Sequence, residues 1–299
     1  MKIILAITTS LIAILSPASA NTIRGTVSDG SGKPMEGVTV SAFDEKLNQS
    51  TSVFTQADGS FTISGLRDTT LNVRARLLGE EDSWKKKIAM ETSDLAFTMK
   101  PATGAILERQ RPANSGFSML KWNSAKDKHN FKMMCTYCHQ AGTIGFRTPE
   151  RPVDWETMIT RMDGFGGLYK HTQKTLVKRL IDTYSDEAVE KWPAYQAPPA
   201  PTGPATKAKI TEWDMGKRFE TMIHDLEIGP DGTIYAVDMA SNSIATLDPK
   251  TGKREFHRFP GKYRGPHSIE LGNDGHMWCT LCVSGEIAKF NLETKKFTI

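Results

Sequence analysis

The chain has 299 residues, with 38 Lys and Arg against 34 Asp and Glu, a net charge of only +4, and 38% apolar residues. That length accommodates two or three units of ordinary size. The near-balanced charge excludes a general affinity for nucleic acid.

Residues 1–20 open with Lys2, continue as an apolar run from Ile3 to Leu15, and close on Ser16-Pro17-Ala18-Ser19-Ala20. A short positive start, an apolar stretch and small residues at Ala18 and Ala20 make the pattern of a cleaved secretory signal. The run is shorter than the roughly 20 residues a spanning helix needs. The expectation is an exported chain starting at Asn21, with no integral membrane segment after cleavage, and no cysteine follows the run to receive a lipid.

Residues 21–100 read as short strands separated by turns. Ile23-Arg24-Gly25-Thr26-Val27 alternates, Asp29-Gly30-Ser31-Gly32-Lys33-Pro34 is a turn cluster, and Val38–Phe43 alternates again. Asp58-Gly59-Ser60 then precedes Phe61-Thr62-Ile63-Ser64-Gly65-Leu66, another strand with its bounding turn. Strands at this spacing predict an all-β sandwich. Through Ile23, Gly25 and Val27, then Gly32, Pro34, Gly37, Val38 and Val40, then Asp58, Gly59, Phe61, Ile63, Gly65 and Leu66, the stretch resembles the carboxypeptidase regulatory-like domain. The resemblance implies a transthyretin-like sandwich whose role is support and contact. Lys85-Lys86-Lys87 reads as the solvated edge of a strand, with a docking patch as the other reading.

Residues 101–116 are rich in Pro, Ala, Gly and Arg with little periodicity, and are expected to be a linker. The most specific motif of the chain follows in residues 117–192: Cys135-Thr136-Tyr137-Cys138-His139. Two cysteines two residues apart with a histidine directly after match the attachment signature of a c-type haem. One helical turn sets both thiols beneath the vinyl groups of one porphyrin, and the next residue turns an imidazole onto the iron. A redox dithiol or half a zinc site is the competing reading, but no βαβ pattern and no second Cys/His pair at zinc-module spacing accompanies the motif. Cys135 and Cys138 are therefore the expected thioether positions of a single covalent haem, and His139 its proximal ligand.

Ile159, Met162 and Leu168, then Leu176, Leu180, Ile181 and Tyr184, follow helical spacing suited to wrapping a porphyrin. The segment from Arg151-Pro152-Val153 through Trp155 to Arg161-Met162 resembles the small haem domains of several periplasmic dehydrogenases. That resemblance implies Met162 as the distal ligand; Met158, His171 and His129 are the alternatives, and a core methionine is the plain one. Resemblance to c-type cytochromes also implies haem attachment outside the bacterial inner membrane, hence a periplasmic protein. Lys121, Lys126, Lys128 and Lys132 precede the motif and either steer an acidic periplasmic redox partner or form a solvated helix face.

Residues 193–209 carry Pro193, Pro198, Pro199, Pro201 and Pro204 among alanines and are expected to be an extended spacer. Residues 210–299 contain a repeat: His224-Asp225-Leu226-Glu227-Ile228-Gly229-Pro230-Asp231-Gly232 recurs 43 positions on as His267-Ser268-Ile269-Glu270-Leu271-Gly272-Asn273-Asp274-Gly275. This period is that of a four-stranded propeller blade, with Asp-Gly hairpin turns. Pro266-His267-Ser268-Ile269 and Asn273-Asp274-Gly275-His276-Met277-Trp278 resemble the virginiamycin B lyase family. The resemblance implies a closed propeller that opens a cyclic lactone antibiotic by metal-assisted elimination. Leu281 stands where the family repeat often carries an acidic residue.

Two blades cannot close a ring, so the expected fold class is multidomain: an N-terminal sandwich, an α-helical cytochrome c domain and a partial C-terminal β-propeller from a protein about twice as long. His224 and His267 stand at equivalent positions at the start of the innermost strands, where histidines suit a divalent metal or acid–base catalysis, or simply blade packing. Cys279 and Cys282 repeat the Cys-x-x-Cys spacing with Val283 in place of a histidine, which argues for burial or a disulfide and not for a second haem. The function expected is electron transfer through the haem, coupled to a propeller that oxidises or binds a small molecule. A lyase with an accessory haem, His267 being its candidate catalytic residue, and a haem-bearing binding scaffold are the alternatives.

Overall fold

The computed structural model describes residues 21–44, 48–66, 70–136, 140–147, 154–163, 173–216 and 220–299. The signal expected over residues 1–20 lies outside them. The protein is mostly β-sheet, with a run of short helices between two β regions. Among the described residues, no helix is long and apolar enough to cross a membrane.

The N-terminal region is a sandwich of two sheets. Strands β1 (Thr22–Ser28), β4 (Ser60–Ser64) and β7 (Leu95–Thr98) form one sheet, with β1 antiparallel to β4 and parallel to β7. The other runs in the order β6 (Ser83–Ala89), β5 (Thr70–Arg76), β2 (Thr39–Asp44), β3 (Gln49–Phe54) and β8 (Lys209–Trp213). Alternation along the strands buries Ile23, Val27, Phe61, Ile63 and Phe97 from the first sheet against Val40, Ala42, Val73 and Ala75 from the second. Gly25 is demanded by a close approach: a Cβ there would lie 1.9 Å from the Leu95 carbonyl oxygen on β7. Lys85, Lys86 and Lys87 are exposed on edge strand β6, as their charge requires.

The two segments expected as linkers are ordered parts of the structure. Residues 101–116 contain helices α1 (Gly104–Arg109) and α2 (Ala113–Ser118). Polar side chains explain the difference, because they pin a segment whose composition carries no apolar period. Gln110 donates to the Glu80 carbonyl and accepts from the Gly79 N–H, both at 2.7 Å. Glu108 Oε1 accepts from Arg111 Nε at 2.6 Å and from Arg147 Nη1 at 2.8 Å. Arg147 is wholly buried and also donates to the Gly142 and Arg111 carbonyls.

The proline-rich segment expected to be an extended spacer over residues 193–209 carries no regular structure to residue 202, then turns through a 3-10 helix at Gly203–Lys207, and it is docked on the sandwich and not free. The Gly203 N–H donates to Glu36 Oε1 at 2.8 Å, Gln56 Nε2 donates to the Thr206 carbonyl, and the Pro201 carbonyl lies where a Cβ on Gly37 would be. Residues 209–213 then pair antiparallel with β3. The boundary placed at residue 210 is corrected accordingly: β8 belongs to the sandwich, because β3 would otherwise present an unpaired edge.

Between these moorings lie α3 (Ala125–Cys135), α4 (Ile144–Arg147), α5 (Trp155–Asp163), α6 (Gln173–Tyr184) and α7 (Asp186–Val189). All are near or below the ~12–15 residues at which an isolated helix becomes even marginal in water, so they stand on tertiary packing. Their shared core is Leu120, Phe131, Ala141, Trp155, Ile159, Leu176, Leu180 and Tyr184.

The C-terminal region is two four-stranded antiparallel meanders. The first comprises β9 (Ile223–Ile228), β10 (Ile234–Asp238), β11 (Ser243–Leu247) and β12 (Arg254–Arg258). The second comprises β13 (Pro266–Leu271), β14 (Met277–Leu281), β15 (Glu286–Phe290) and β16 (Phe297–Thr298). The 43-residue repeat is thus one meander. The glycines of the Asp-Gly turns, Gly232 and Gly275, take φ of +83° and +74°. Tyr235, Val237 and Ile244 of the first sheet pack on Ile269, Met277, Cys279, Ala288 and Phe290 of the second.

Gly25→Ala should cost about 3 kcal/mol, the upper range for overpacking a tight site, read by denaturant unfolding of the full chain. Glu108→Ala leaves the buried Arg147 guanidinium without its carboxylate, and should cost about 3 kcal/mol in the same measurement.

Candidate cofactor-attachment site

Helix α3 opens on Ser124, whose Oγ accepts from the Asp127 N–H at 3.1 Å, and it ends at Cys135. Cys135 is half-buried and packs against the helical core, as Phe117, Trp122 and Phe146 do. Ring contacts run through this core: Trp122 to Phe131 at 5.1 Å, Phe146 to Trp155 at 5.8 Å, and Tyr184 to Trp192 at 6.0 Å between centroids. Burial pushes the Cys135 thiol up to about 11, with Arg179 opposing. Burial likewise raises the Tyr184 phenol, whose hydroxyl donates to the Gly116 carbonyl at 3.2 Å.

Cys138 and His139 lie outside the described residues, as does His171. Met162 is described, half-buried near the end of α5. It follows Trp155 and Ile159, both buried in the core that holds Cys135, at the i+7 and i+3 positions, so the three share one helical face. Met158 is 37% exposed, and His129 is exposed on α3. Lys121, Lys126, Lys128 and Lys132 are exposed. Asp127 is engaged by Arg179 at 2.5 Å, so it does not cancel their charge.

A second constellation lies where β9 meets β13. The His224 and His267 rings stand 3.7 Å apart between centroids, with His224 Nδ1 2.9 Å from the His267 carbonyl oxygen. The Ile269 N–H donates to Asp225 Oδ2 at 3.2 Å, fastening the same strands. Burial lowers the His267 pKa, His224 lowers it further, and Asp225 opposes. Equivalent repeat positions were readable in the sequence; the contact was not, because it arises from stacking adjacent sheets. Among the described residues, no three His, Cys, Asp or Glu side chains gather closely enough to hold a metal ion. Cys279 is a buried thiol pushed up to about 12 by that burial, while Cys282 is exposed beyond the end of β14, and no disulfide joins them.

These features define a β-rich chain built from a sandwich, a helical insert and paired meanders. Its residues 22–100 are a carboxypeptidase regulatory-like domain, matching that family over the whole stretch. No curated protein matches the sequence. Among solved structures, the chain is similar to a catalytically inactive virginiamycin B lyase from Staphylococcus aureus with quinupristin, at 22% identity, covering 31% of this chain and 30% of that one, with a TM-score of 0.27. A streptogramin B lyase is similar at 19% identity over 27% of this chain and 26% of that one, with a TM-score of 0.24. A cohesin–X-dockerin complex from Acetivibrio cellulolyticus is similar at 17% identity over 29% and 61%, with a TM-score of 0.24. The chain thus spans less than a third of the length of the lyases it matches.

The lowered His267 pKa fixes a pH dependence. Below the ordinary value of 6.5 the unfolded chain binds the proton that folded His267 resists, so its contribution is complete above that value and is lost as pH falls. The thermal midpoint should drop between about pH 7.5 and about pH 5.5, and His267→Gln should flatten part of that drop.

Proposed function

We propose that this chain is an exported electron carrier whose helical unit holds one covalent haem c. The observation that carries the reading is the seat of Cys135: the first cysteine of Cys-x-x-Cys-His ends a helix inside an aromatic core shared with the helix bearing Met162. Cys135 and Cys138 would hold the porphyrin by thioethers, His139 would take the proximal position on the iron, and Met162 the distal one. When bound, the haem supplies a one-electron iron couple. The aromatic side chains Phe117, Trp122, Phe131, Phe146 and Trp155 would supply an apolar wall for the haem. The lysines of residues 121–132 offer a positive face toward an acidic redox partner.

The remaining parts fit that role. The export signal of residues 1–20 and a haem that must be attached outside the inner membrane support a periplasmic location. The 43-residue repeat supports reading the meanders as two blades of a β-propeller. A second reading rests on the stacked His224 and His267 rings: His267 acts as acid–base residue, or the pair contributes to a divalent-metal site, on a small substrate as in lyases of the virginiamycin type. In that case activity is indifferent to loss of the haem.

The deciding experiment is an optical spectrum of the exported full chain, oxidised and reduced, before and after acid extraction. Covalent haem that survives extraction is expected, as is its loss in Cys135→Ala and Cys138→Ala. The weak near-infrared-edge band of a sulfur–iron contact should vanish in Met162→Ala. A chain that yields no haem after extraction would overturn the electron-carrier reading and leave the His267 reading standing.

A further inference from the structure

The outer face of the five-stranded sheet, turned away from the sandwich core, carries a cluster that neither reading of the function uses. Strand register sets it out. Trp84 on β6 pairs with Arg74 on β5, and Arg74 with Ser41 on β2; one row along, Phe43 on β2 pairs with Ser50 on β3, and Ser50 with Glu212 on β8. The alternation that turns Val40, Ala42, Val73 and Ala75 into the core turns both rows outward.

The Phe43 and Trp84 rings stand 5.3 Å apart between centroids, and the Arg74 guanidinium carbon lies 5.2 Å from the first and 5.3 Å from the second. Stacked on both rings, the guanidinium is fixed in place but not satisfied. Its Nε is buried with no hydrogen-bond partner among the described residues. Its ion pair with Asp82 spans 3.8 Å, because Asp82 is already held by Arg76 through Nε at 2.8 Å and Nη2 at 2.6 Å. The Arg74 side chain is 20% exposed and Trp84 is 47% exposed, so both are reachable from solvent.

Charge and shape narrow the occupant. Arg74 and Arg76 are matched by Asp82 and Glu212, and the charges of both carboxylates reach Arg74. A polyanion would meet the two carboxylates, and a polycation the two guanidiniums. A purely apolar partner would cover Arg74 and leave its donors unpaired. A neutral molecule with flat C–H faces for the rings, and hydroxyls that both accept from Arg74 and donate to Glu212, satisfies every group at once. Those are the properties of a sugar ring.

We propose that this face of the sandwich binds a neutral polysaccharide, one ring lying on Trp84 with its hydroxyls on Arg74. Trp84 and Glu212 sit on the two outermost strands of the sheet, four strand spacings or about 19 Å apart, so they meet different rings of one chain. The face belongs to the sandwich and not to a blade, so the stacking of propeller blades makes no claim on it. The inference rests on neither reading of the function.

Calorimetric titration of the full chain with cellohexaose, maltohexaose, xylohexaose and N-acetylchitohexaose, with hexagalacturonate as the charged control, tests it. At least one neutral hexasaccharide should bind, and both hexagalacturonate and the matching monosaccharide should bind more weakly than it does. Trp84→Ala, at an exposed position, should weaken binding about tenfold with the unfolding midpoint of the unaltered chain, and Trp84→Phe should restore part of the loss. Arg74→Lys keeps the charge but not the planar fork, and should also weaken binding. A chain to which no neutral hexasaccharide binds, a folded Trp84→Ala that binds like the parent, or a preference for hexagalacturonate would overturn the inference.

Discussion

The arrangement depends on the short ladder between β3 and β8, five residue pairs running from Gln49 with Trp213 to Val53 with Lys209. It returns the chain to the sandwich after the whole helical region and starts the meanders from the same sheet edge. Closing so long a loop is less costly than it looks, since each doubling of loop length adds only about 0.6 kcal/mol. The helical unit is moored at its entry by Gln110 against Gly79 and Glu80, and at its exit by Arg111 donating to the Pro193 carbonyl. It is therefore an insert in the sandwich and not a bead on a flexible string.

Two kinds of adhesion divide the work. The sandwich and the meanders rely on alternating apolar faces, where each fully buried large side chain contributes roughly 1.5–3 kcal/mol. The helical unit has short helices and an aromatic-rich core, and it recruits buried charge at Glu108, Arg111 and Arg147 to fix its entry. Buried ion pairs add little net stability but are costly to break, so they specify one arrangement. In the proposed reading a planar porphyrin enlarges the apolar interior that these helices otherwise lack.

Legibility in the sequence followed the range of each interaction. Strands β1, β2 and β4 and the two meanders were visible because a period of two and a repeat of 43 are written locally. The partner of β8 was not, since its ladder spans more than 150 residues and leaves no local trace. Helices α1 and α2 hid behind a Pro, Gly and Ala composition, because what holds them is Gln110, Glu108 and Arg111. The burial of Arg147 left no signal in the sequence, since its partners Glu108 and Arg111 lie more than 35 residues away. Met162 was named through the resemblance of residues 151–162 to haem domains, and its place on the face of Trp155 and Ile159 is what the helix adds.

The place of β8 in the chain also sets an order of events. A polypeptide emerging N-terminus first exposes β3 long before residues 209–213 arrive to cover it. Every helix from Gly104 to Val189 emerges in that interval. An insert that has condensed brings the late strand back to its edge, whereas one that has not leaves an unpaired β-edge open to other chains. The sandwich thus completes its sheet with a strand that is synthesised only after the helices it encloses.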